Sequence, residues 1–93
     1  MRPDLQKDID TAVRILRDAG ATEVYLFGSV ARGTRRPESD IDLAVRGIPP
    51  RDFYRTVGSL LMALSTEFDL VDLDVRNPFT EYLERKGNLV RVA

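Results

Sequence analysis

The sequence of 93 residues contains neither cysteine nor histidine. The absence of cysteine excludes disulfides and thiolate metal sites. The absence of histidine excludes imidazole ligands and a histidine general base, and with it the usual Ser-His-Asp hydrolase. Any metal held by the side chains of this protein must therefore have oxygen ligands, which favours magnesium, manganese or calcium.

The sequence also lacks a secretory or transit signal and an apolar run of membrane-spanning length. Its formal net charge is -1, so no excess of positive charge favours direct binding to nucleic acid or to a membrane surface. A chain of 93 residues is expected to form a single domain, residues 1–93, with a modest core. We therefore expect a cytoplasmic protein without a separate substrate-binding domain.

Hydrophobic spacing predicts helices at residues 3–19, 51–66 and 79–86, and strands at residues 23–27, 40–45, 68–75 and 89–92. The buried stripe of the second helix is expected to consist of Phe53, Val57, Leu60, Leu61 and Leu64. The last helix is expected to turn Phe79, Tyr82 and Leu83 inward. Residues with candidate chemistry lie where these strands begin and end.

The first predicted strand runs directly into Gly28 and Ser29, and about one helical turn, residues 30–33, follows. A strand that enters a helix N-terminus through a glycine presents free backbone N–H groups to an anion. Gly28 has no Cβ to obstruct a phosphate, and the Ser29 hydroxyl can donate one more hydrogen bond. Arg32 is a further candidate for phosphate contact. Because Gly-Ser is also a common turn, this pair alone allows a purely structural role.

The second predicted strand begins with two carboxylates, Asp40 and Asp42. Alternation places both on one face and leaves Ile41, Leu43 and Val45 as a clean core face. Two like charges this close repel each other unless a cation lies between them, and a divalent metal would supply that cation. Acidic residues also occur on solvated strand edges, so Asp-x-Asp alone does not decide between a metal site and a solvated edge.

The third predicted strand, residues 68–75, carries Asp69, Asp72 and Asp74 among apolar neighbours. A carboxylate in such surroundings is costly to bury unless it is paired or binds a metal. Alternation places Asp69 on one face and the other two on the opposite face. It does not show which of them is functional.

Three segments carry the combined pattern. They are Phe-Gly-Ser-Val-Ala-Arg-Gly at residues 27–33, Ser-Asp-Ile-Asp-Leu-Ala-Val at residues 39–45 and Phe-Asp-Leu-Val at residues 68–71. In this pattern, which extends over nearly the whole chain, the protein resembles the minimal nucleotidyltransferases of the DNA polymerase beta superfamily. The resemblance implies the polymerase-beta-like nucleotidyltransferase fold, an α/β (α+β) arrangement in which helices cover a small mixed β-sheet.

The resemblance also implies site residues. Gly28 and Ser29 would bind the triphosphate of ATP, with Arg32 beside them. Asp40 and Asp42 would ligate Mg²⁺.

The family's third carboxylate lies in an apolar-Asp-apolar segment of the following strand. Asp69 fits that pattern best, and Asp72 is the alternative. Asp69 would complete the metal site and accept the proton of the attacking group. The expected reaction is transfer of AMP from ATP to an acceptor hydroxyl.

The acceptor is implied by the resemblance as well. Larger members of the superfamily carry extra acceptor-binding domains, whereas minimal members are often paired with a helical protein called HEPN. In such pairs the nucleotidyltransferase silences a ribonuclease toxin by attaching AMP to it, so the expected role is that of the antitoxin, in a homo- or hetero-oligomer. Two alternatives stay open: a non-catalytic nucleotide-binding module that neutralises its partner by contact, and a subunit of a small-molecule nucleotidyltransferase.

Overall fold

The computed structural model of the protein describes residues 5–28, 40–86 and 89–93. The elements in chain order are α1 (Leu5–Asp18), β1 (Glu23–Phe27), β2 (Ile41–Arg46), α2 (Pro50–Ala63), β3 (Phe68–Asp72), α3 (Pro78–Lys86) and β4 (Val90–Arg91). The predicted order of these elements is confirmed. The helical turn expected at residues 30–33 lies outside the described residues. In the part of the chain that is described, every helix is too short or too polar to traverse a lipid bilayer.

The strands form a four-stranded sheet with the order β3-β2-β1-β4. β1 runs antiparallel to β2 and β4, whereas β2 runs parallel to β3. The parallel pair is joined through α2, because parallel neighbours need a crossover connection rather than a tight turn. The sheet is therefore mixed, and the predicted α+β arrangement is confirmed.

One face of the sheet packs against α1 and α2. Ile41, Leu43 and Val45 of β2 have no exposed surface there, as the alternation of the sequence predicts. They share a cluster with Leu16 of α1 and Leu60 of α2, which are also fully buried. This cluster is the main core of the described residues.

The opposite face of the sheet packs against α3 through a smaller cluster. Its buried members are Ala44 of β2, Leu73, which directly follows β3, and Leu83 of α3. Tyr25 and Phe27 of β1 pack against this cluster. A short residue at position 44 lets α3 approach the sheet closely. Both faces of β2 are therefore covered at its centre, while Asp42, near its start, is half-buried.

Two predicted helix faces are wrong in part. Leu61 was expected in the buried stripe of α2, but its side chain is 68% exposed. Phe79 and Tyr82 were expected to face inward, but they are 51% and 52% exposed, and only Leu83 of that trio is buried. Each of these residues lies one position before or after a buried residue, about 100° around the helix. The stripes that face the sheet are thus narrower than the sequence pattern suggests.

Two elements, a helix and a strand, end earlier than predicted. At the end of each one, hydrogen bonds to an aspartate side chain take the place of the regular backbone hydrogen bonds. The predicted second helix extends to residue 66, but α2 ends at Ala63, since Ser65 donates from its backbone N and its Oγ to the Asp8 carboxylate at 3.2 and 2.8 Å. The predicted third strand extends to residue 75, but β3 ends at Asp72. There Asp72 Oδ1 accepts a hydrogen bond from the backbone N of Asp74 at 2.9 Å, which forms an Asx-type turn.

Asp8 deserves a test because it is a buried carboxylate, 4% exposed, to which the sequence assigns no role. We expect Asp8→Ala to lower the free energy of unfolding by about 1–3 kcal/mol, since the buried Asp8 carboxylate accepts two hydrogen bonds from Ser65 that alanine cannot accept. Urea denaturation would measure the loss. Asp10→Ala is the matched control, because Asp10 is exposed on the same helix and accepts a hydrogen bond from the Gln6 side chain. Equal stabilities of the two variants would contradict the role given to Asp8.

The Asp8 contribution should also depend on pH. Burial raises the pKa of this carboxyl, but hydrogen bonds from Ser65 and Thr66 outweigh burial and bring the pKa below its ordinary value of 3.8. A depressed pKa in the folded state stabilises the fold above the ordinary value, and that stabilisation is lost as the pH falls through the folded-state pKa. The stability difference between the wild type and Asp8→Ala should therefore be constant near neutral pH and shrink below about pH 4. A difference that grows on acidification would contradict this assignment.

Candidate functional site

One end of the sheet brings the sequence motifs together. β1 ends at Phe27, which lies opposite Asp42 of the antiparallel strand β2. β3 begins at the same end, and its Asp69 lies opposite Asp42 on the other side. Phe27, Asp42 and Asp69 therefore form a row across three adjacent strands, which we call the cross-strand row.

The two carboxylates of the cross-strand row project from the same face of the sheet, because directly paired residues on adjacent strands share a face. Adjacent strands are about 4.8 Å apart, so Asp42 and Asp69 are neighbours. Asp42 is half-buried and Asp69 is exposed. Asp40 is half-buried, directly precedes β2, and alternates onto the side of Asp42. The structure thus brings the three predicted carboxylates to one edge of one face.

Asp72, the alternative third carboxylate, lies elsewhere. It pairs with Val45, on the face that packs against α1 and α2. Its Oδ1 accepts the hydrogen bond that forms the turn after β3. The strand register therefore places Asp69, and not Asp72, next to Asp42.

Gly28 joins the predicted phosphate-binding turn to the carboxylates. Its backbone has a φ of 74°, in the left-handed region that side chains other than glycine rarely adopt. A Cβ at this position would overlap Asp42 Oδ2 and lie 3.1 Å from Asp42 Cγ. The backbone of residue 28 can lie against this carboxylate only because glycine has no side chain. The two sequence motifs are therefore in direct contact.

Ser29 and Arg32, the other predicted nucleotide-binding residues, lie in the segment 29–39, outside the described residues. Their roles stay predictions. Gly28 is the last described residue before that segment, and Asp40 is the first one after it. Gly28 and Asp40 both lie at the edge of the sheet that carries the carboxylates.

The carboxylates fit a metal ion that is shared with a substrate. Among the described residues, no group of three acidic side chains is close enough to hold a metal ion by itself. Magnesium, however, is usually bound through one or two carboxylates, with waters and substrate phosphates as the remaining ligands. Adjacent Asp42 and Asp69, with Gly28 lying against Asp42, provide such a partial ligand set. The donors therefore suit magnesium bound together with a nucleotide.

An ion-pair network at the far end of the same face fixes α3 to the sheet. Arg46, at the end of β2, forms ion pairs with Glu84 of α3, with Glu23 of β1 at 3.3 Å, and with Asp74 at 3.8 Å. The hydrogen bond to Glu84 raises the pKa of Arg46 further above its already high value. The sequence carries one signal for this network, since alternation places Arg46 on the face of Asp42, but the partners of Arg46 depend on the fold. The ion-pair network positions α3, the helix that borders the cross-strand row.

Phe79 is a further residue of this region that the sequence analysis assigned to the core. Its ring meets that of Phe27 edge to face, with centroids 6.4 Å apart and planes at 68°. Phe27 belongs to the cross-strand row, so the first turn of α3 reaches the neighbourhood of the carboxylates. A half-exposed aromatic ring therefore borders the candidate site.

Comparison with known proteins agrees with this geometry. The family described as "Polymerase beta, Nucleotidyltransferase" matches residues 11–91. The protein adenylyltransferase MntA of Shewanella oneidensis is 38% identical over 66 residues, which cover 66% of this chain and 48% of MntA. The chain thus spans about half the length of this curated relative.

Two solved structures extend the comparison. A toxin–antitoxin complex with AMP-PNP contains a chain 32% identical to this one, with a TM-score of 0.60 over 78% of this chain and 60% of that chain. A complex of the tri-AMPylated HEPN toxin of Shewanella oneidensis with an MNT antitoxin gives 28% identity and a TM-score of 0.56, over 77% of this chain and 58% of that chain.

The family match covers most of the chain, including the cross-strand row and Gly28. The mixed sheet and the covering helices agree with the fold that the resemblance implied. On these grounds the chain belongs to the polymerase beta nucleotidyltransferase family.

Proposed function

We propose that this protein transfers AMP from ATP to a hydroxyl group of a HEPN-type toxin and so acts as the antitoxin of the pair. The observation that carries the proposal is the contact of Gly28 with Asp42 beside Asp69, which unites a turn suited to phosphates with two adjacent carboxylates. The names of the relatives support the transferred group, since one is a protein adenylyltransferase and another is bound to an AMPylated toxin.

In the proposed reaction the acceptor hydroxyl oxygen attacks the α-phosphorus of ATP. A bond forms between that oxygen and the α-phosphorus, and the bond from the α-phosphorus to the oxygen bridging to the β-phosphate breaks. Pyrophosphate leaves, and the hydroxyl proton passes to a base. Asp69 is the proposed base, because it is the more exposed carboxylate of the cross-strand row and can be reached by an incoming acceptor.

Asp40, Asp42 and Asp69 are the proposed ligands of Mg²⁺. When bound, magnesium supplies positive charge at the attacking and leaving oxygens of such a displacement. The carboxylates also orient the acceptor relative to the triphosphate, because they fix one wall of the site on paired strands rather than on a loop. Gly28 brings backbone close to that wall, and Ser29 and Arg32 are the proposed further contacts of the phosphates.

The proposed partner follows from the two toxin–antitoxin complexes, in which the similar chain is accompanied by a toxin. ATP is the proposed donor, because one of these complexes contains AMP-PNP, an ATP analogue. The acceptor surface is proposed to belong to the partner protein, because the toxin in one of these complexes is AMPylated.

The carboxylates can be tested by transfer of labelled AMP from ATP, with magnesium, to a co-purified HEPN partner. We expect Asp42→Asn and Asp69→Asn each to reduce labelling by more than about 100-fold, since residues that merely orient metal ligands are already worth about 10–100-fold. Asp72→Asn is the matched control. It removes a carboxylate from the same strand as Asp69 but keeps the Oδ1 that accepts from Asp74. Labelling that is lost in Asp72→Asn and retained in Asp69→Asn would contradict the proposed third carboxylate.

The same assay distinguishes the proposed function from its alternatives. Tight binding to the partner without transfer of label would identify a non-catalytic binding module. Label found only on an added small molecule would identify a small-molecule nucleotidyltransferase subunit. Failure of the wild-type protein to bind ATP in the presence of magnesium would contradict both enzymatic functions.

Gly28 provides a second test. We expect Gly28→Ala to abolish binding of ATP with magnesium and to destabilise the fold by about 1–3 kcal/mol, because its φ is positive and its Cβ would meet the Asp42 carboxylate. Calorimetry and thermal unfolding would measure the two effects. Gly58→Ala is the control, since a Cβ there meets no atom within 4 Å and alanine favours the helix. Wild-type ATP binding by Gly28→Ala would contradict the role of this turn.

A further inference from the structure

Phe79 presents an aromatic ring beside the site without being buried in the core. It lies in the first turn of α3 and is 51% exposed. The edge-to-face contact with Phe27 holds the ring on one side. Exposed apolar side chains are common on protein surfaces, and what distinguishes Phe79 is that its ring contacts Phe27 of the cross-strand row. The exposed surface of this ring is therefore available to a ligand of the site.

The first turn of α3, which carries Phe79, is held in place by hydrogen bonds. The Asn77 side chain accepts a hydrogen bond from the backbone N of Thr80 at 2.9 Å, and the Asn77 backbone N donates to Thr80 Oγ1 at 3.1 Å. These two bonds form a reciprocal cap at the N-terminus of α3. Thr80 is buried and also donates to the Val75 carbonyl oxygen at 2.7 Å. The ring is thus attached to a rigid turn and would lose little freedom when a ligand binds.

The rest of α3 is held to the sheet as well. Leu83 packs against Ala44, and Glu84 pairs with Arg46, the last residue of β2. The helix is therefore fixed by apolar packing at its centre and by an ion pair beyond it, while Phe79 at its start is left to contact the site. Tyr82 is also half-exposed, but no ring contact joins it to the cross-strand row among the contacts of the described residues.

We propose that Phe79 is the platform on which the base of the bound nucleotide stacks. This inference rests on the proposed function, since it assumes that the cross-strand row binds a nucleoside triphosphate. The carboxylates and Gly28 suit the metal and the phosphates, so the part of the ligand that remains to be bound is the nucleoside, a ribose that carries a flat, aromatic base. Stacking on an aromatic side chain suits every base, because each base has a π-face. Phe79 therefore adds affinity for the nucleoside part with little discrimination among bases.

The test compares two probes that differ in the nucleoside. Binding of ATP and of inorganic tripolyphosphate, each with magnesium, is measured by calorimetry on the full chain. We expect Phe79→Ala to weaken ATP binding by about 10–100-fold, the usual worth of one base–aromatic stack, and to leave tripolyphosphate binding within about twofold. Phe79→Trp should retain ATP binding, because it keeps an aromatic face.

The control is Tyr54→Ala. Tyr54 is an aromatic residue, 83% exposed on α2, and α2 packs on the opposite face of the sheet. This variant should bind both probes as the wild type does. A thermal unfolding curve for each variant establishes that it is folded.

The outcomes separate the two proposals. If the wild type binds neither probe, the proposed nucleotide site fails and the stacking role fails with it. If the wild type binds both probes and Phe79→Ala binds ATP equally well, the stacking role is overturned and the proposed function stands. A parallel loss of both probes in Phe79→Ala also overturns it, because stacking on the base cannot affect tripolyphosphate.

Discussion

The register between the three strands β1, β2 and β3 is the constraint on which the site depends. It aligns Phe27, Asp42 and Asp69 in one row, and it brings the end of β1 to the beginning of the other two strands. A shift of one residue in either pairing would move a carboxylate to the opposite face. The buried alternation of Ile41, Leu43 and Val45 prevents such a shift, because it would expose the main core. The apolar residues on one face of β2 therefore fix the position of Asp42 on its other face.

The two faces of the sheet have different tasks. The face against α1 and α2 contains the larger cluster and gives the fold most of its buried apolar surface. The face against α3 is covered only in part. That helix contacts the sheet through Phe79, Leu83 and Glu84. Asp42 is half-buried and Asp69 is exposed. A helix that covered the whole face would exclude a substrate. Partial cover combines stability with access to Asp42, and it leaves Phe79 at the border between the core and the site.

Hydrogen-bonding side chains explain where sequence reasoning was inaccurate. Periodicity predicted each element, but it extended α2 and β3 too far. Asp8 and Asp72 accept hydrogen bonds from backbone N–H groups just beyond the ends of these elements, and hydrophobic periodicity contains no information on such bonds. The predicted inward position of Phe79 was wrong for a related reason. Periodicity shows that a helix has an apolar side, but the width of the buried contact depends on the neighbour. Here α3 buries Leu83, whereas Phe79 contacts Phe27 edge to face and stays half-exposed.

The sequence by itself determined the order of the elements, the core face of β2, and the oxygen-only character of any metal site, because these follow from alternation and from the absence of cysteine and histidine. It also determined that Asp40 and Asp42 share a face. Only the tertiary structure decided that Asp69, and not Asp72, is the neighbour of Asp42, since pairing between residues 27 positions apart does not follow from local pattern. The contact of Gly28 with Asp42 was likewise decided by tertiary structure, because the antiparallel pairing of β1 with β2 creates it.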